Sequence, residues 1–182
     1  MKKIACIALL VLLNACSSDD DANISEENII LEVSHYKTTS LLFGSALIVE
    51  EQGNGRLVEL PDVRGFNFEQ AHNYRLNTRK VTTQNPGSTA RVVHYELITE
   101  LNKETIPPNT SFTIPLADFV NGVGYVSWLT ETADQSYLIN REIILDCNQF
   151  CSELDTRLGL KDTIIGEFTH GTDGSYVLIG LQ

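Results

Sequence analysis

Apolar and polar residues alternate along most of the chain. A period of two places apolar side chains on one face of a β-strand, whereas a helix repeats them every three to four residues. The predicted strands cover residues 29–33, 41–51, 56–60, 74–83, 92–101, 111–114, 123–130, 137–145, 163–169 and 175–181. We therefore predict a mainly β protein, with antiparallel sheets or a partly open small barrel in its first half and further strands in its second half.

One segment breaks this alternation and has the pattern of an α-helix. Phe150, Leu154 and Leu158 recur every four residues and form one apolar stripe. Asn148 has a side-chain oxygen that suits the free N–H groups of a first helical turn, and Gly159 suits the left-handed conformation that ends many helices. We predict a single α-helix over about residues 148–158.

The stretch from Asn102 to Asn109 is the best candidate for an internal boundary. Its polar residues and the Pro107-Pro108 pair stop strand pairing and stiffen the connection. It divides the chain into a β domain at 28–104 and a β-rich C-terminal half at 105–182 that contains the helix. Trp128 lies in an apolar run of this second half, and we expect it to be part of the core.

The N-terminal residues have the layout of a bacterial export signal. Lys2 and Lys3 precede an uninterrupted apolar stretch, residues 4–13, which is too short to span a bilayer but suits a signal peptide. The following Leu13-Asn14-Ala15-Cys16 resembles the lipobox of bacterial lipoprotein precursors, although Asn14 is unusual at its position. We expect residues 1–15 to be removed and Cys16 to carry palmitate-type acyl chains. The alternative is an ordinary cleaved signal peptide.

The residues after Cys16 are small, polar and acidic, and we expect a flexible acidic tether over 16–27. Ser17-Ser18-Asp19-Asp20-Asp21 resembles the surface-export signals of Bacteroidetes-type lipoproteins. This resemblance implies a protein anchored in the outer membrane and facing the cell surface. The alternative is a plain spacer on a protein that faces the periplasm.

The charge of the chain argues against one class of partner. Its 13 basic and 24 acidic residues give a net charge of −11, which becomes −13 when Lys2 and Lys3 leave with the signal. A surface this acidic is repelled by phosphate backbones. We therefore expect no nucleic-acid partner, and we expect the membrane to be reached through the lipid on Cys16.

Two cysteines remain in the exported part, Cys147 and Cys151. A close pair in an oxidising compartment indicates a disulfide, and residues about one turn apart at a helix start come within bonding reach. Free thiols are one alternative. A redox or metal function is another, because a thiolate at a helix N-terminus is activated, although three intervening residues differ from the two of thioredoxin-like pairs.

The sequence offers no established catalytic or metal-binding motif. His35, His72, His94 and His170 do not stand at metal-ligand spacing, and no phosphate-binding glycine loop or serine nucleophile motif is present. We interpret His170 and the following Gly-Thr-Asp-Gly as a hairpin turn. We therefore predict no catalytic residues, no metal site and no cofactor.

Arg75, Arg79 and Lys80 form the one cluster of positive charge in an acidic chain. This cluster is a candidate binding patch for an extracellular protein or glycan. The alternative interpretation, which we favour, is cross-strand pairing with Glu96 and Glu100 on the next predicted strand.

One segment resembles a known family. The residues that carry the resemblance are Val63-Arg64-Gly65-Phe66-Asn67-Phe68-Glu69-Gln70-Ala71-His72-Asn73-Tyr74-Arg75-Leu76, then Asn85-Pro86, then Tyr95-Glu96-Leu97-Ile98 and Lys103. They resemble the domain-of-unknown-function family numbered 4377 over about residues 29–104, although Phe68 and His72 stand where that family has Tyr. The resemblance implies a small antiparallel β domain of lipoproteins and secreted proteins, without established catalytic residues.

These observations favour a lipid-anchored, non-catalytic binding or interaction protein of the cell envelope. The first alternative is an accessory or glycan-processing hydrolase, for which two carboxylates about 5–10 Å apart in a cleft are the structural requirement. The second is an envelope-stress or inhibitor protein, for which the segment 84–91 is the candidate protruding loop.

Overall fold

Two β-sheets follow one another along the chain in the computed structural model, which describes residues 23–53, 55–133 and 136–182. The strands of the first sheet are β1 (Asn23–Ser40), β2 (Gly44–Glu51), β3 (Leu57–Leu60), β4 (His72–Gln84) and β5 (Arg91–Thr105). They lie in the order β3-β2-β1-β4-β5, and every neighbouring pair is antiparallel. The first half of the chain is thus an antiparallel sheet.

The second sheet has seven strands and carries the helix. Its strands are β6 (Phe112–Val120), β7 (Gly124–Ser127), β8 (Leu129–Glu131), β9 (Tyr137–Ile139), β10 (Ile143–Asp146), β11 (Ile164–His170) and β12 (Tyr176–Leu181). They lie in the order β7-β6-β11-β12-β10-β9-β8, and only β10 and β12 pair in parallel. The 3₁₀ turn Asn148–Phe150 and the helix α1 (Cys151–Leu160) connect β10 to β11. The prediction of a mainly β protein with one helix is confirmed.

The two edge strands of the second sheet, β7 and β8, are consecutive in the chain and meet at Trp128. The Trp128 amide donates to the carbonyl of Leu116 in β6 at 3.0 Å, and the Trp128 carbonyl accepts from the amide of Asn140 at 2.8 Å. The sheet therefore curves until its edges approach each other at this residue. It is not a closed barrel in the described part of the chain, because β7 and β8 do not pair with each other.

Each sheet has its own apolar core. The first core contains Leu31, Val33, Leu47, Val49, Val63, Tyr74, Leu76 and Tyr95, and the second contains Phe112, Ile114, Leu116, Ala117, Tyr137, Ile139, Ile143, Leu145, Cys147, Leu154, Ile164, Phe168, Tyr176 and Leu178. Buried residues alternate with more exposed ones in β4 from Tyr74 to Thr78 and in β6 from Phe112 to Leu116, as the period of two predicts, whereas the end of β1 buries Thr38–Ser40 in succession.

Strand β1 takes part in both halves of the protein. Its first half pairs with β4 and buries Leu31 and Val33 in the first core. Its second half lies against the second sheet, where Thr39 donates a hydrogen bond to the carbonyl of Pro115 at 2.6 Å. Beside it, the Lys37 amide donates to the hydroxyl of Tyr176 at 2.9 Å, and the Lys37 side chain pairs with Glu142 at 2.6 Å.

The start of β1 corrects the predicted tether of 16–27. Residues 23–27 are already part of β1 and pair with residues 80–84 of β4. Polar side chains do not prevent a strand when a neighbouring strand supplies backbone partners, and Glu26 also lies 3.5 Å from Arg79. The remainder of the predicted tether, with Cys16 and the predicted signal of 1–15, lies outside the described residues.

Both predicted helix ends are wrong. Asn148 does not cap the helix: it has a left-handed φ of +48° within the 3₁₀ turn, and its amide donates to the Asp146 side chain at 2.9 Å. Gly159 lies inside α1, which ends at Leu160. Lys161 takes the left-handed conformation instead, and the amides of Lys161 and Asp162 donate to the carbonyls of Leu158 and Arg157, the two bonds of a Schellman motif.

Further segments differ from their predicted structure. Residues 102–105, predicted to stop strand pairing, continue β5 and pair with residues 72–75 of β4. The predicted strand 137–145 is two strands, β9 and β10, which pair with each other in antiparallel fashion.

Leu41, Leu42 and Phe43 form the turn between β1 and β2 rather than the start of a strand, because Gly44 with φ +74° allows a tight reversal there. Trp128 is only partly buried and is absent from the core, since it occupies the break between β7 and β8.

Candidate binding cleft

An open cleft of about 640 Å³ lies between helix α1 and the strands β7, β8 and β9. The residues that line it are Tyr125, Ser127, Leu129, Glu131, Tyr137, Asp155, Leu158 and Gly159. Four other cavities lined by described residues are smaller, at about 290–350 Å³. This cleft is the candidate functional site of the second sheet.

One wall of the cleft comes from a single segment of chain. Tyr125, Ser127, Leu129 and Glu131 follow one another at every second residue through β7 and β8. Successive side chains of a strand point to opposite faces, so this spacing presents all four to the same side. The curvature of the second sheet at Trp128 places this wall opposite the helix.

Strand β9, the neighbour of β8, is joined to the helix across the cleft by one hydrogen bond. The Tyr137 hydroxyl donates to Asp155 Oδ1 at 2.7 Å. Burial raises the pKa of Tyr137, and the Asp155 hydrogen bond and the negative charges of Asp155 and Glu131 raise this pKa further. Tyr137 therefore keeps its proton, and the bond fixes the Asp155 carboxylate as a hydrogen-bond acceptor at the cleft.

The Tyr125 hydroxyl is the least satisfied group of the cleft. Its oxygen is shielded from solvent and has no hydrogen-bond partner within the described ranges. Burial raises the pKa of Tyr125, and the negative charge of Asp162 adds to this effect. A shielded hydroxyl without a partner costs free energy, so a ligand gains from supplying the missing hydrogen bond once a small movement of the side chain exposes the oxygen to the cleft.

The chemistry of the cleft suits a ligand that is rich in hydrogen-bond donors. Among the described lining residues, the charged ones are both acidic, Glu131 and Asp155. Two tyrosine rings and the side chains of Leu129 and Leu158 add apolar surface. Carboxylates next to aromatic rings are able to hold the hydroxyl groups and the C–H face of a sugar ring, whereas they repel anions.

Cys147 and Cys151 lie where the disulfide prediction requires. Their Sγ atoms are within disulfide-bonding distance, and their Cα atoms are 5.0 Å apart. Cys147 is buried in the second core, while Cys151 is the first residue of α1. The pair therefore ties the beginning of the helix to the core, and neither residue lines the cleft.

The basic cluster of Arg75, Arg79 and Lys80 is engaged by carboxylates. Arg79 lies 2.7 Å from Glu96, which matches the predicted cross-strand pairing. The other two cations pair with carboxylates on the side of β4 away from β5. Arg75 lies 3.2 Å from Glu32 of β1, and Lys80 lies 2.7 Å from Glu51 of β2. Glu100 is not their partner, because β1 and β2 offer nearer carboxylates.

Two histidines that are far apart in the sequence lie close together where the two sheets meet. His35 Nδ1 lies 2.9 Å from His170 Nε2, although 135 residues separate them in the chain. The predicted turn after His170 is present, with Asp173 accepting from the Ser175 amide and hydroxyl at 3.2 and 2.7 Å. In the part of the chain that is described, no three His, Cys, Asp or Glu side chains are arranged to hold a metal.

The predicted protruding loop, residues 84–91, is an exposed hairpin connection with internal hydrogen bonds. Gln84 Nε2 donates to the Ser88 carbonyl at 2.8 Å, and the Ser88 amide donates to the Asn85 carbonyl at 3.1 Å.

None of the helices among the described residues is long and apolar enough to cross a membrane.

Comparisons with protein-family models, with curated proteins and with solved structures give no match for this chain. The resemblance to family 4377 therefore stays a prediction. The structure is compatible with the residues that carry it, since Phe66 and Phe68 pack against the first core and Tyr74 is buried in it.

The cleft is not predicted from the sequence, although one feature of the sequence points to it. The apolar run 123–129 predicts a continuous buried strand with Trp128 in the core. The alternation of Tyr125, Ser127, Leu129 and Glu131 places polar groups on a face that a core strand would keep apolar. A strand with polar residues on one face, together with a predicted amphipathic helix in the same half of the chain, indicates a solvent-filled cleft between the two.

Proposed function

We propose that this protein is a lipid-anchored, surface-exposed protein of the bacterial outer membrane that binds an extracellular ligand without transforming it. The cleft between α1 and β7–β9 is the proposed binding site, and a neutral glycan is the proposed ligand class. Acylation of Cys16 supplies the membrane attachment in this proposal. The lipobox-like Leu13-Asn14-Ala15-Cys16 and the acidic residues that follow it support the location.

The observation that carries the binding proposal is the Tyr125 hydroxyl, which is shielded and lacks a partner in the described chain. It lies in a cleft whose opposite wall fixes an acceptor through the 2.7 Å bond from Tyr137 to Asp155. Together they offer a donor or acceptor and a fixed acceptor in a cleft whose lining is more polar than apolar. Such a lining suits a ligand that carries many hydroxyl groups.

Affinity electrophoresis through gels that contain neutral polysaccharides tests this proposal. We expect a Tyr125→Phe variant, which removes only the oxygen, to weaken the affinity that retardation reports by about two- to tenfold, since one hydrogen bond contributes about 0.5–1.5 kcal/mol. Asp155→Asn should weaken it as well. Tyr36→Phe is the matched control, because Tyr36 packs at the second core and does not line the cleft. Equal retardation of the Tyr125→Phe variant and the wild type would contradict the assigned site.

A glycoside hydrolase is the second candidate, because Glu131 and Asp155 line the same cleft. Hydrolysis needs one carboxylic acid as proton donor and a second carboxylate as base or nucleophile. The measurement is the release of reducing ends from the polysaccharides that retard the protein. Release that disappears in both Glu131→Gln and Asp155→Asn would replace the binding proposal by the hydrolase.

Protease treatment of intact cells tests the location independently. We expect the wild-type protein to be cleaved on whole cells and a Cys16→Ala variant to be lost from the membrane fraction. Protection on intact cells, with cleavage after lysis, would place the protein on the periplasmic side instead.

A further inference from the structure

Three consecutive apolar side chains are exposed at the turn between β1 and β2. Leu41, Leu42 and Phe43 are 53%, 84% and 43% exposed, respectively. Hairpin turns are ordinarily formed by polar residues and glycine, and a run of exposed apolar residues on a surface indicates an interaction site. We call these three residues the apolar tip.

The apolar tip lies in a stretch of chain without charge. From Thr38 to Val49 the sequence contains no acidic or basic residue, although the whole chain has a net charge of −11. Lys37 and Glu50 are the nearest charged residues on either side. A surface that enters hydrocarbon must lack charges, because burying an unpaired charge there is costly.

Trp128 stands beside the apolar tip. Its indole Nε1 donates to the carbonyl of Ser40 at 3.4 Å, and its ring is partly exposed. A groove of about 350 Å³ separates the ring from Leu41 and Leu42, and Glu59 is its one charged lining residue in the described chain. Tryptophan concentrates where hydrocarbon meets water, since its ring is apolar and its N–H is polar.

We propose that the apolar tip inserts into the acyl region of a zwitterionic lipid bilayer, with Trp128 at the level of the headgroups. The uncharged stretch, the adjacent indole and the exposure of Leu42 favour lipid over a protein partner, because the charged side chains near the tip, Glu59 and Glu142, lie at its base and not on its exposed end. The acidic chain disfavours anionic headgroups. This contact is separate from acylation of Cys16.

The position of the tip gives the contact a structural role. β1 is 18 residues long, so Ser40 lies on the order of 50 Å from Asn23, where the chain emerges from its N-terminal segment. Attachment at both ends of one strand fixes the direction of that strand relative to the bilayer. Attachment at the N-terminal segment alone leaves the direction free.

The chain contains a single tryptophan, so its fluorescence reports on this surface alone. The experiment adds the full chain to phosphatidylcholine vesicles with ordinary or dibrominated acyl chains, and measures quenching of Trp128 together with sedimentation of the protein with the vesicles. We expect at least a twofold loss of fluorescence with brominated lipid. Leu42→Glu should reduce the quenching to the level without vesicles, and Val92→Glu should leave it unchanged, because Val92 is a comparably exposed residue (64%) on β5.

Each result decides the proposal. Quenching that depends on Leu42 and not on Val92 supports insertion of the tip. Protein that sediments with the vesicles without quenching overturns insertion and leaves the N-terminal anchor standing. Protein that stays in the supernatant overturns insertion of the tip, and equal quenching of the Leu42→Glu variant and the wild type overturns the assignment to the tip. A tip that docks on another protein gives no quenching at any lipid concentration, which also overturns the proposal.

Discussion

His35 Nδ1 lies 2.9 Å from His170 Nε2, so a pair of imidazole rings joins β1 of the first sheet to the end of β11 in the second sheet. One ring must donate and the other accept, and the accepting ring must be neutral. Burial lowers the pKa of His35. Burial also lowers the pKa of His170 to about 4, with the charges of His35 and His72 adding to this effect.

This pair makes the folded state sensitive to acid. The pKa of His170 is lower in the folded chain than its ordinary 6.5, so its contribution to stability is complete above pH 6.5 and is lost as the pH falls towards 4. We expect the urea midpoint to fall over this range by more in the wild type than in His170→Gln. Parallel pH profiles for the wild type and His170→Gln would contradict this role of His170.

Reduction of the cysteine pair should destabilise the protein only modestly. Cys147 and Cys151 are four residues apart in sequence, and a loop this short contributes roughly 2 kcal/mol or less to the free energy of unfolding. Urea unfolding with and without dithiothreitol measures the difference. The double variant Cys147→Ser/Cys151→Ser is the control and should not respond to reductant. A much larger loss of the free energy of unfolding on reduction would mean that the disulfide stabilises the second core as well as the start of α1.

Leu154 should be the side chain of α1 that contributes most to stability. It is fully buried, whereas Leu160 at the end of the same helix is 70% exposed. We expect Leu154→Ala to lower the free energy of unfolding by about 2–5 kcal/mol and Leu160→Ala to change it by less than about 0.5 kcal/mol. Chemical denaturation of the two variants gives both values. Similar values would show that the helix does not pack as described.

Two glycines should respond to alanine in opposite directions. A Cβ at Gly166 in β11 would lie 2.5 Å from the Phe168 ring, so Gly166→Ala should destabilise the protein by about 1–3 kcal/mol. A Cβ at Gly159 meets no atom within 4 Å, and Gly159 is helical, so Gly159→Ala should stabilise it by about 0.5–1 kcal/mol. Thermal melts of both variants test this pair. A destabilising Gly159→Ala would restore the interpretation of Gly159 as the end of the helix.

Local pattern was sufficient to predict most of the elements. The alternation in residues 74–83 corresponds to β4, and the turn signal of 52–55 connects β2 to β3, with Leu47 opposite Leu60. The stripe of Phe150, Leu154 and Leu158 faces the second core as expected. These features depend on residues within a few positions of one another, which is the range over which a sequence pattern carries information.

The features that sequence did not predict depend on residues far apart. Tyr125 and Asp155 share a cleft because the second sheet curves at Trp128, and no local pattern specifies that curvature. His35 and His170 meet because β1 extends from the first sheet to the second. The helix ends differ from their predicted positions for a local reason: the Asp146 side chain accepts from the Asn148 amide, and Lys161, not Gly159, takes the left-handed conformation.

The pairing of β1 with β4 has a mechanical consequence. From Asn23 to Val33 the two strands pair without interruption, starting at the first described residue of the chain. Hydrogen bonds of an antiparallel ladder lie perpendicular to the strands, so a force that pulls Asn23 along β1 loads them in shear and all at once. When force is applied through the N-terminal segment, the β1–β4 ladder is therefore sheared along its length, and its hydrogen bonds do not open one at a time.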